Sequence, residues 1–432
     1  MFLDTFKASS FSDPRLRVVD ARMGRGKSTA AMRYMEEEAD KKRFLYITPY
    51  LTEVSRVCEC CDFEEPMNDG IPDDDSDGSG EERIYLTKSA ILKDLMRLGK
   101  NVATTHSLFS IMDEEARTIA REMGYCLIID EAISVIRKVP LTFDDAEALL
   151  KSQYVSEEDG KLLWRNEHYT GKFWWVKRLI EGGSVYRSDV VMMDVLNPDL
   201  IRSFAEVWVL TYRFSGSILH AYLKSFGFEY EIYGIGHDDT GPMFCGGPDR
   251  PPAIDYTTMI DLERSAAFNK PGDEAYCMAK SWYKNRHYKD QTVKQLRKNM
   301  INFLRRDRGA GAKSRRMWTC FKDYRDLLVP ENGACRNNFV PLNTKATNVY
   351  KDCTRLAYMV NRYIDPNIIK FFAKRGVQLD RDSIALSEML QWIWRSAIRD
   401  GQPIHLYVPS YRMRELLYNW MLEEKHREEK SA

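Results

Sequence analysis

The chain has 432 residues, 44% of them hydrophobic and 30% charged, with Lys+Arg and Asp+Glu both at 64. That composition can bury sizeable cores and suggests two or three domains, while the balanced charge leaves any nucleic-acid surface to local clustering. No apolar run reaches the roughly 18 residues of a membrane span, so no membrane segment is expected.

The N-terminus carries an early Asp4 and lacks the long apolar core of a signal peptide. Nine cysteines, an odd number without a disulfide framework, fit a reducing compartment, and a cytoplasmic location is the expectation. Leu16 to Asp20 reads as a short buried strand and Ser28 to Met35 as a helix. Between them lies Asp20-Ala-Arg-Met-Gly-Arg-Gly-Lys-Ser-Thr29, with the layout of a phosphate-binding loop. Gly24 and Gly26 lack a Cβ, so the amides of Ala21 through Thr29, with Met23 before the first glycine and Arg25 between the two, can close around a phosphate. The helix beginning near Lys27 aims its free amides at the same place. Lys27 would reach the β and γ phosphates of ATP, and Ser28 would ligate Mg²⁺.

Arg43 to Pro49 reads as a second strand and Leu51 to Val57 as a helix, followed by Cys58, Cys60 and Cys61, read as structural or incidental thiols. Residues 63 to 82 are an acidic surface loop by composition. Ser89 to Leu98 has helical periodicity, and Asn101 to His106 reads as a strand. Tyr125-Cys-Leu-Ile-Ile-Asp-Glu-Ala132 is a buried parallel strand that delivers two carboxylates at its C-terminal edge, where open α/β sheets place ligands. Asp130 would hold Mg²⁺ through water, and Glu131 would deprotonate the attacking water.

Residues 134 to 205 read as an insertion with a hairpin turning at Asp159-Gly160, and its Trp residues are expected to fill its own small core. Val207 to Thr211 is a further core strand, Ile218 to Phe226 a helix, Tyr230 to Tyr233 a strand, and 236 to 252 a Gly- and Pro-rich loop. The basic stretch 284 to 316, with a helix from Thr292 to Phe303, is either a phosphate-backbone contact surface or a solvated helix face. Met317 to Phe321 and Tyr358 to Asn361 have strand character. Gln391, Arg395 and Arg399 are spaced as one stripe of an amphipathic helix, beside an apolar seam of Met389, Leu390, Ile393, Trp394, Ala397 and Ile398. Ile404 to Val408 is a last strand, and Arg412 to Glu423 a helix.

Together these pieces resemble the superfamily 2 helicase core. The loop from Ala21 to Thr29 matches motif I, in the Ala-x-x-Gly-x-Gly-Lys-Ser form typical of that superfamily, and Asp130-Glu131-Ala132-Ile133 matches motif II. Thr48-Pro49 and Thr104-Thr105-His106-Ser107 look like the nucleic-acid-contacting motifs Ia and Ib. Leu210 to Ser217 stands where motif III belongs. Residues 343 to 348, with Thr347, look like motif V, and 391 to 399 like motif VI, with Trp394 in place of its Gly and the final Arg one residue late. The resemblance implies an α/β fold of two RecA-like P-loop NTPase domains with parallel sheets, residues 1–217 and 218–432, the ATP site in the cleft between them and the insertion in the first. It implies that Arg395 or Arg399 is the arginine finger, that Gln391 assists, and that ATP and Mg²⁺ drive movement on single-stranded or forked DNA, with RNA less favoured. Divergent motifs in a compact chain suggest a phage or prophage replication helicase that works with other replication proteins. An ATP-switched loader or scaffold is the competing reading.

Overall fold

The computed structural model describes residues 13–67, 88–189, 191–251, 254–306, 311, 313–342 and 348–431. The chain divides into two units: one runs to Arg250 and takes back Asp365–Leu379, and the other holds Pro251–Ile364 and the remainder from Asp380. Both are α/β and each is built on a sheet of parallel strands.

The first unit contains a seven-stranded sheet. Its strands are β1 (Arg15–Asp20), β2 (Arg43–Thr48), β3 (Val102–Thr105), β4 (Tyr125–Asp130), β10 (Glu206–Thr211), β11 (Glu231–Asp238) and β12 (Gly241–Gly246). Their spatial order is β12-β11-β1-β10-β4-β2-β3. All neighbours are parallel except the β11–β12 hairpin. β4 and β10 are buried at every residue, as a central parallel strand covered on both faces must be. Helix α1 (Lys27–Glu38) follows β1, and helix α2 (Leu51–Cys60) follows β2.

The insertion is a second, antiparallel sheet of the same unit. It comprises β5 (Ile136–Lys138), β6 (Val155–Glu158), β7 (Lys161–Trp164), β8 (Val185–Ser188) and β9 (Val191–Val195), in the order β5-β9-β8-β7-β6. The expected hairpin turns at Asp159 and Gly160, both at positive φ (51° and 78°), as a two-residue turn requires. Trp164, Phe173 and Trp175 pack against the insertion's own core, whereas Trp174 is exposed.

The expected loop at 236 to 252 is instead largely strand. β11 continues to Asp238 and β12 returns to Gly246, so the hairpin extends the main sheet beside β1 and places the unit boundary at Arg250 rather than at 217. Two glycines of β11, Gly236 inside that stretch and Gly234 just before it, are packing positions. A Cβ on Gly236 would lie 2.4 Å from Cys245 Sγ, and one on Gly234 would lie 2.5 Å from the Asp249 backbone. Phe244 stacks on Trp208 with ring centroids 4.5 Å apart, and Arg33 of α1 holds Asp238 through two bonds of 2.8 Å.

The second unit carries β13 (Ile260–Leu262), β14 (Arg316–Thr319), β15 (Arg355–Tyr358) and β16 (Ile404–Tyr407), all parallel, in the order β13-β16-β15-β14. β15 ends where the sequence led us to expect a strand to begin, because the apolar run through Val360 leaves the sheet after Tyr358. From this unit the chain makes an excursion: the Pro366–Ala373 helix sends Phe371 and Phe372 into the core of the first unit, with Ile368, Val377 and Leu379 against it. Lys370 and Lys374 clasp Asp189 at 3.1 and 2.8 Å, and the Arg375 guanidinium lies 3.8 Å from the Phe371 ring centroid. No helix among the described residues is long and apolar enough to cross a membrane. Truncating Phe372, which has no exposed surface, is expected to cost about 3–5 kcal/mol. A shift of the first unit's urea midpoint in Phe372→Ala, with an unchanged slope, checks this.

Candidate functional site

The loop between β1 and α1 stands at the carboxyl edge of the main sheet. It leaves β1 after Asp20, and the Ala21 amide donates to Thr211 O at 3.1 Å, fixing the loop to β10. Gly24 and Gly26 both adopt left-handed φ (79° and 83°), which a side chain would resist. A Cβ on Gly26 would also meet Pro242 Cγ at 2.9 Å, so the β11–β12 hairpin approaches the loop closely. By contrast, a Cβ on Gly24 meets nothing within 4 Å.

The side chains of the loop converge. Lys27 Nζ donates to the carbonyls of Ala21 at 2.6 Å and Arg22 at 2.9 Å. Burial pulls its pKa down to about 8, against the pull of the Asp130, Asp20, Glu131 and Asp249 carboxylates. Ser28 Oγ lies 3.0 and 3.2 Å from the two Asp130 oxygens. The chain therefore brings together, across 102 residues of sequence, the hydroxyl and carboxylate expected to share a cation. Asp130 is buried at the end of β4. Burial pushes its pKa up, and hydrogen bonds from Tyr46 and Ser28 and the Lys27 charge oppose the shift. Glu131, the next residue, is exposed at a left-handed φ of 62°, and its carboxylate accepts from Tyr50 OH at 2.9 Å.

Arg25 reaches away from the loop, donating to Ile235 O at 2.9 Å and lying 3.7 Å from the buried Asp249. Met23 is half-buried and Thr29 exposed. Asp20 accepts from the Phe214 amide at 3.1 Å, and burial raises its pKa. Arg213, the residue before Phe214, sits at a left-handed φ of 57°.

The donor set fits Mg²⁺ with a nucleotide. Among the described residues no three His, Cys, Asp or Glu side chains gather as a metal cage. Mg²⁺ at such sites needs only a carboxylate, a hydroxyl, waters and the phosphates themselves. Ser28 and Asp130 would hold it, and Lys27 would exchange its two carbonyl partners for phosphate oxygens.

Several expected residues are placed otherwise. Thr48, the last residue of β2, and Thr104, the last but one of β3, are buried, so their side chains present no surface to a polynucleotide. Thr105 caps a short helix, His106–Ser110, by accepting from the Leu108 amide at 3.3 Å, so His106 opens a helix rather than closing a strand. Burial drives the His106 pKa down to about 4, which keeps its ring neutral near pH 7. Pro49 precedes α2 and Thr347 lies outside the described residues.

The helix that should carry Gln391, Arg395 and Arg399 on one stripe runs from Arg381 to Ile393 only. The amides of Arg395 and Ser396 each bond three residues back, and Ser396 Oγ takes the Ile393 carbonyl at 2.6 Å, which tightens and ends the helix. Gln391 is therefore exposed on the last turn. Arg395 lies in the turn beyond it and donates to Leu342 O at 3.0 Å, and Arg399 is exposed on a separate short 3₁₀ segment. The apolar seam of this region is buried throughout, as its spacing predicts.

Two tyrosines were missed. Tyr46 OH donates to Asp130 at 2.5 Å and Tyr50 OH to Glu131. Inside an apolar strand Tyr46 reads as core, and only the position of Tyr50, just after Thr48-Pro49, could have marked it.

In the second unit, Asp290 caps the Gln291–Leu304 helix, accepting from the Thr292 and Val293 amides at 2.9 and 3.2 Å. Lys284, Lys289, Lys298 and Arg305 around it are exposed. Arg286 and Arg306 are committed to Glu274, Asp290 and Glu263.

Because Gly26 combines a left-handed φ with the Pro242 contact, Gly26→Ala should destabilise the first unit by about 1–3 kcal/mol. Thermal unfolding with Gly24→Ala as the uncrowded control measures it.

Comparison with known proteins places these features in a family. A family model, the YonV C-terminal Rossmann-like domain, matches residues 255–421, which span the second unit's parallel sheet and the excursion at 365–379. The SPbeta prophage-derived uncharacterized protein YonV of Bacillus subtilis (strain 168) is 30% identical over 433 residues, covering 95% of this chain and 100% of the relative. That prophage origin accords with the phage-type character expected from the sequence. Identity of this extent along both chains shows that the protein belongs to the YonV family.

Proposed function

We propose that the protein is an ATPase that couples hydrolysis at the loop of residues 21–29 to movement on, or unwinding of, nucleic acid, DNA before RNA. The observation that carries the reading is the Ser28–Asp130 pair at 3.0 Å beside Lys27, with Glu131 next in the chain. A hydroxyl and a carboxylate so close, at the opening of a helix and the end of a buried parallel strand, are the two protein ligands of a nucleotide-bound Mg²⁺. The helicase likeness, the RecA-like character of the two units and Arg395 or Arg399 as the arginine finger belong to the same proposal. The exposed Lys284, Lys289, Lys298 and Arg305 near the Gln291–Leu304 helix support a polynucleotide partner, since phosphate contacts need accessible positive charge.

The chemistry asked of the chain is limited. Lys27 and the loop amides bind the phosphates and orient the terminal one. Glu131 takes a proton from water as that oxygen bonds to the γ-phosphorus and the bridging P–O bond to ADP breaks. A second reading, an ATP-switched loader in a replication complex, is favoured by the Tyr50 bond to Glu131, which suits a slow enzyme.

Steady-state phosphate release with and without single-stranded DNA tests the reading. Stimulation of the wild type, loss of turnover in Lys27→Ala, and a fall on the order of 10²–10⁴-fold in Glu131→Gln are expected. A rate indifferent to every nucleic acid rejects the translocase.

The lowered Lys27 pKa gives a second test. Phosphate favours the ammonium, so nucleotide binding raises that pKa and takes up a proton when the pH is near 8. ATP affinity should fall as pH rises past about 8. Calorimetry in buffers of different ionisation enthalpy should show proton uptake near that pH and none well below it.

A further inference from the structure

The strand β10 leaves the main sheet between the two halves of the site. On one side it pairs with β1, and Thr211 O accepts from the Ala21 amide, at the start of the phosphate loop, at 3.1 Å. On the other side it pairs with β4, with Leu210 opposite Asp130. The chain that continues past Thr211 therefore starts in the gap flanked by the loop and the Asp130-Glu131 pair. Tyr212 and Arg213 are the next two residues.

The backbone that carries Arg213 is preset. Its φ of 57° is left-handed, which is unusual for a residue with a side chain. Asp20, at the end of β1, accepts from the next amide, that of Phe214, at 3.1 Å. Phe214 is buried, its ring centroid 5.0 Å from those of both His220 and Tyr230. Ser217 then caps the following helix by accepting from the His220 amide at 3.1 Å. The turn is thus fixed from several sides, and it holds a half-buried arginine. Arg213 Nε is itself buried and has no hydrogen-bond partner among the described residues. The charges of Arg213 and Lys27 both act on Asp20, so the two cations stand about one carboxylate at the start of the loop. A buried guanidinium N–H left without an acceptor is costly, and a phosphate oxygen would satisfy it with a charge-assisted bond.

Resting on the ATPase reading above, we infer that Arg213 is a catalytic residue supplied by the first unit itself, its guanidinium donating to the terminal phosphate of ATP. A planar fork of N–H donors matches phosphate oxygens and stays charged at any working pH. Arg213 neither takes nor gives a proton. It offsets charge on the phosphoryl oxygens while the water oxygen bonds to phosphorus, Glu131 takes the proton and the bridging P–O bond to ADP breaks. The same contact distinguishes ATP from ADP, because only ATP carries the phosphate that Arg213 holds.

The test is calorimetric binding of ADP and of a β,γ-imido ATP analogue, each with Mg²⁺, to the full-length wild type, Arg213→Asn and Arg213→Lys, with phosphate release from ATP measured alongside. Asn accepts left-handed backbone, so Arg213→Asn removes the guanidinium and keeps the turn. That variant should lose about tenfold in affinity for the analogue and hold ADP as the wild type does. Its phosphate release should fall on the order of 10³-fold. Arg213→Lys, which keeps the charge without the fork, should regain part of the analogue affinity and little of the turnover. Without nucleotide, Arg213→Asn should melt at or above the wild-type temperature, because the N–H it removes lacks an acceptor there. An Arg213→Asn that melts well below the wild type, or that keeps the wild-type ratio of analogue to ADP affinity, overturns the role of Arg213 alone. A wild type that binds neither nucleotide overturns the ATPase reading and this role with it.

Discussion

Asp130 is the constraint around which the first unit is arranged. A carboxylate taken out of water costs several kcal/mol unless hydrogen bonds and a counter-charge compensate. Here the compensation comes from two separate pieces of chain: the Lys27 ammonium and the Ser28 hydroxyl at the start of α1, and the Tyr46 hydroxyl from β2. Removing any one leaves the others to hold an under-satisfied charge. The loop conformation, the register of β2 on β4 and the orientation of α1 are thus joined through one side chain. Lys27 is under the same constraint from the other side. It is drawn inward by carboxylates yet held on two backbone carbonyls, an arrangement that an incoming polyphosphate would relieve.

The hairpin of β11 and β12 closes the other flank. It pairs with β1, stacks Phe244 on Trp208, grips α1 through Arg33 and Asp238, and brings Pro242 against Gly26. The loop is therefore bounded by β4 on one side and the hairpin on the other, with β10 between β1 and β4. Gly26 is fixed by both backbone angle and space, whereas Gly24 is fixed by backbone angle alone, so the two glycines of one motif do different physical work.

What could be read from sequence follows from where the signal lies. Short apolar runs ending in Thr, Asp or Glu mark parallel strands and their ligand edge, because burial on both faces and chemistry at one end are local properties. β1, β2, β4 and β10 were legible for that reason, as was the Asp159-Gly160 turn. The β11–β12 hairpin was not, since Gly234 and Gly236 answer to close contacts with Asp249 and Cys245 that composition cannot distinguish from a flexible loop. The stripe of Gln391, Arg395 and Arg399 failed differently: periodicity continued past Ile393, but Ser396 bonded back to the Ile393 carbonyl and ended the helix. The return of Asp365–Leu379 to the first unit was invisible, because an amphipathic helix does not state which core receives its apolar face.

That excursion sets how the chain is routed between the two units. The chain passes between them at Arg250, at Ile364 and at Leu379, so three connections join them rather than one. The middle segment is held by Phe371 and Phe372 in a core and by two lysines on Asp189. Burial of two phenylalanines is a large part of the stability of an ordinary domain, so this helix is held to the first unit.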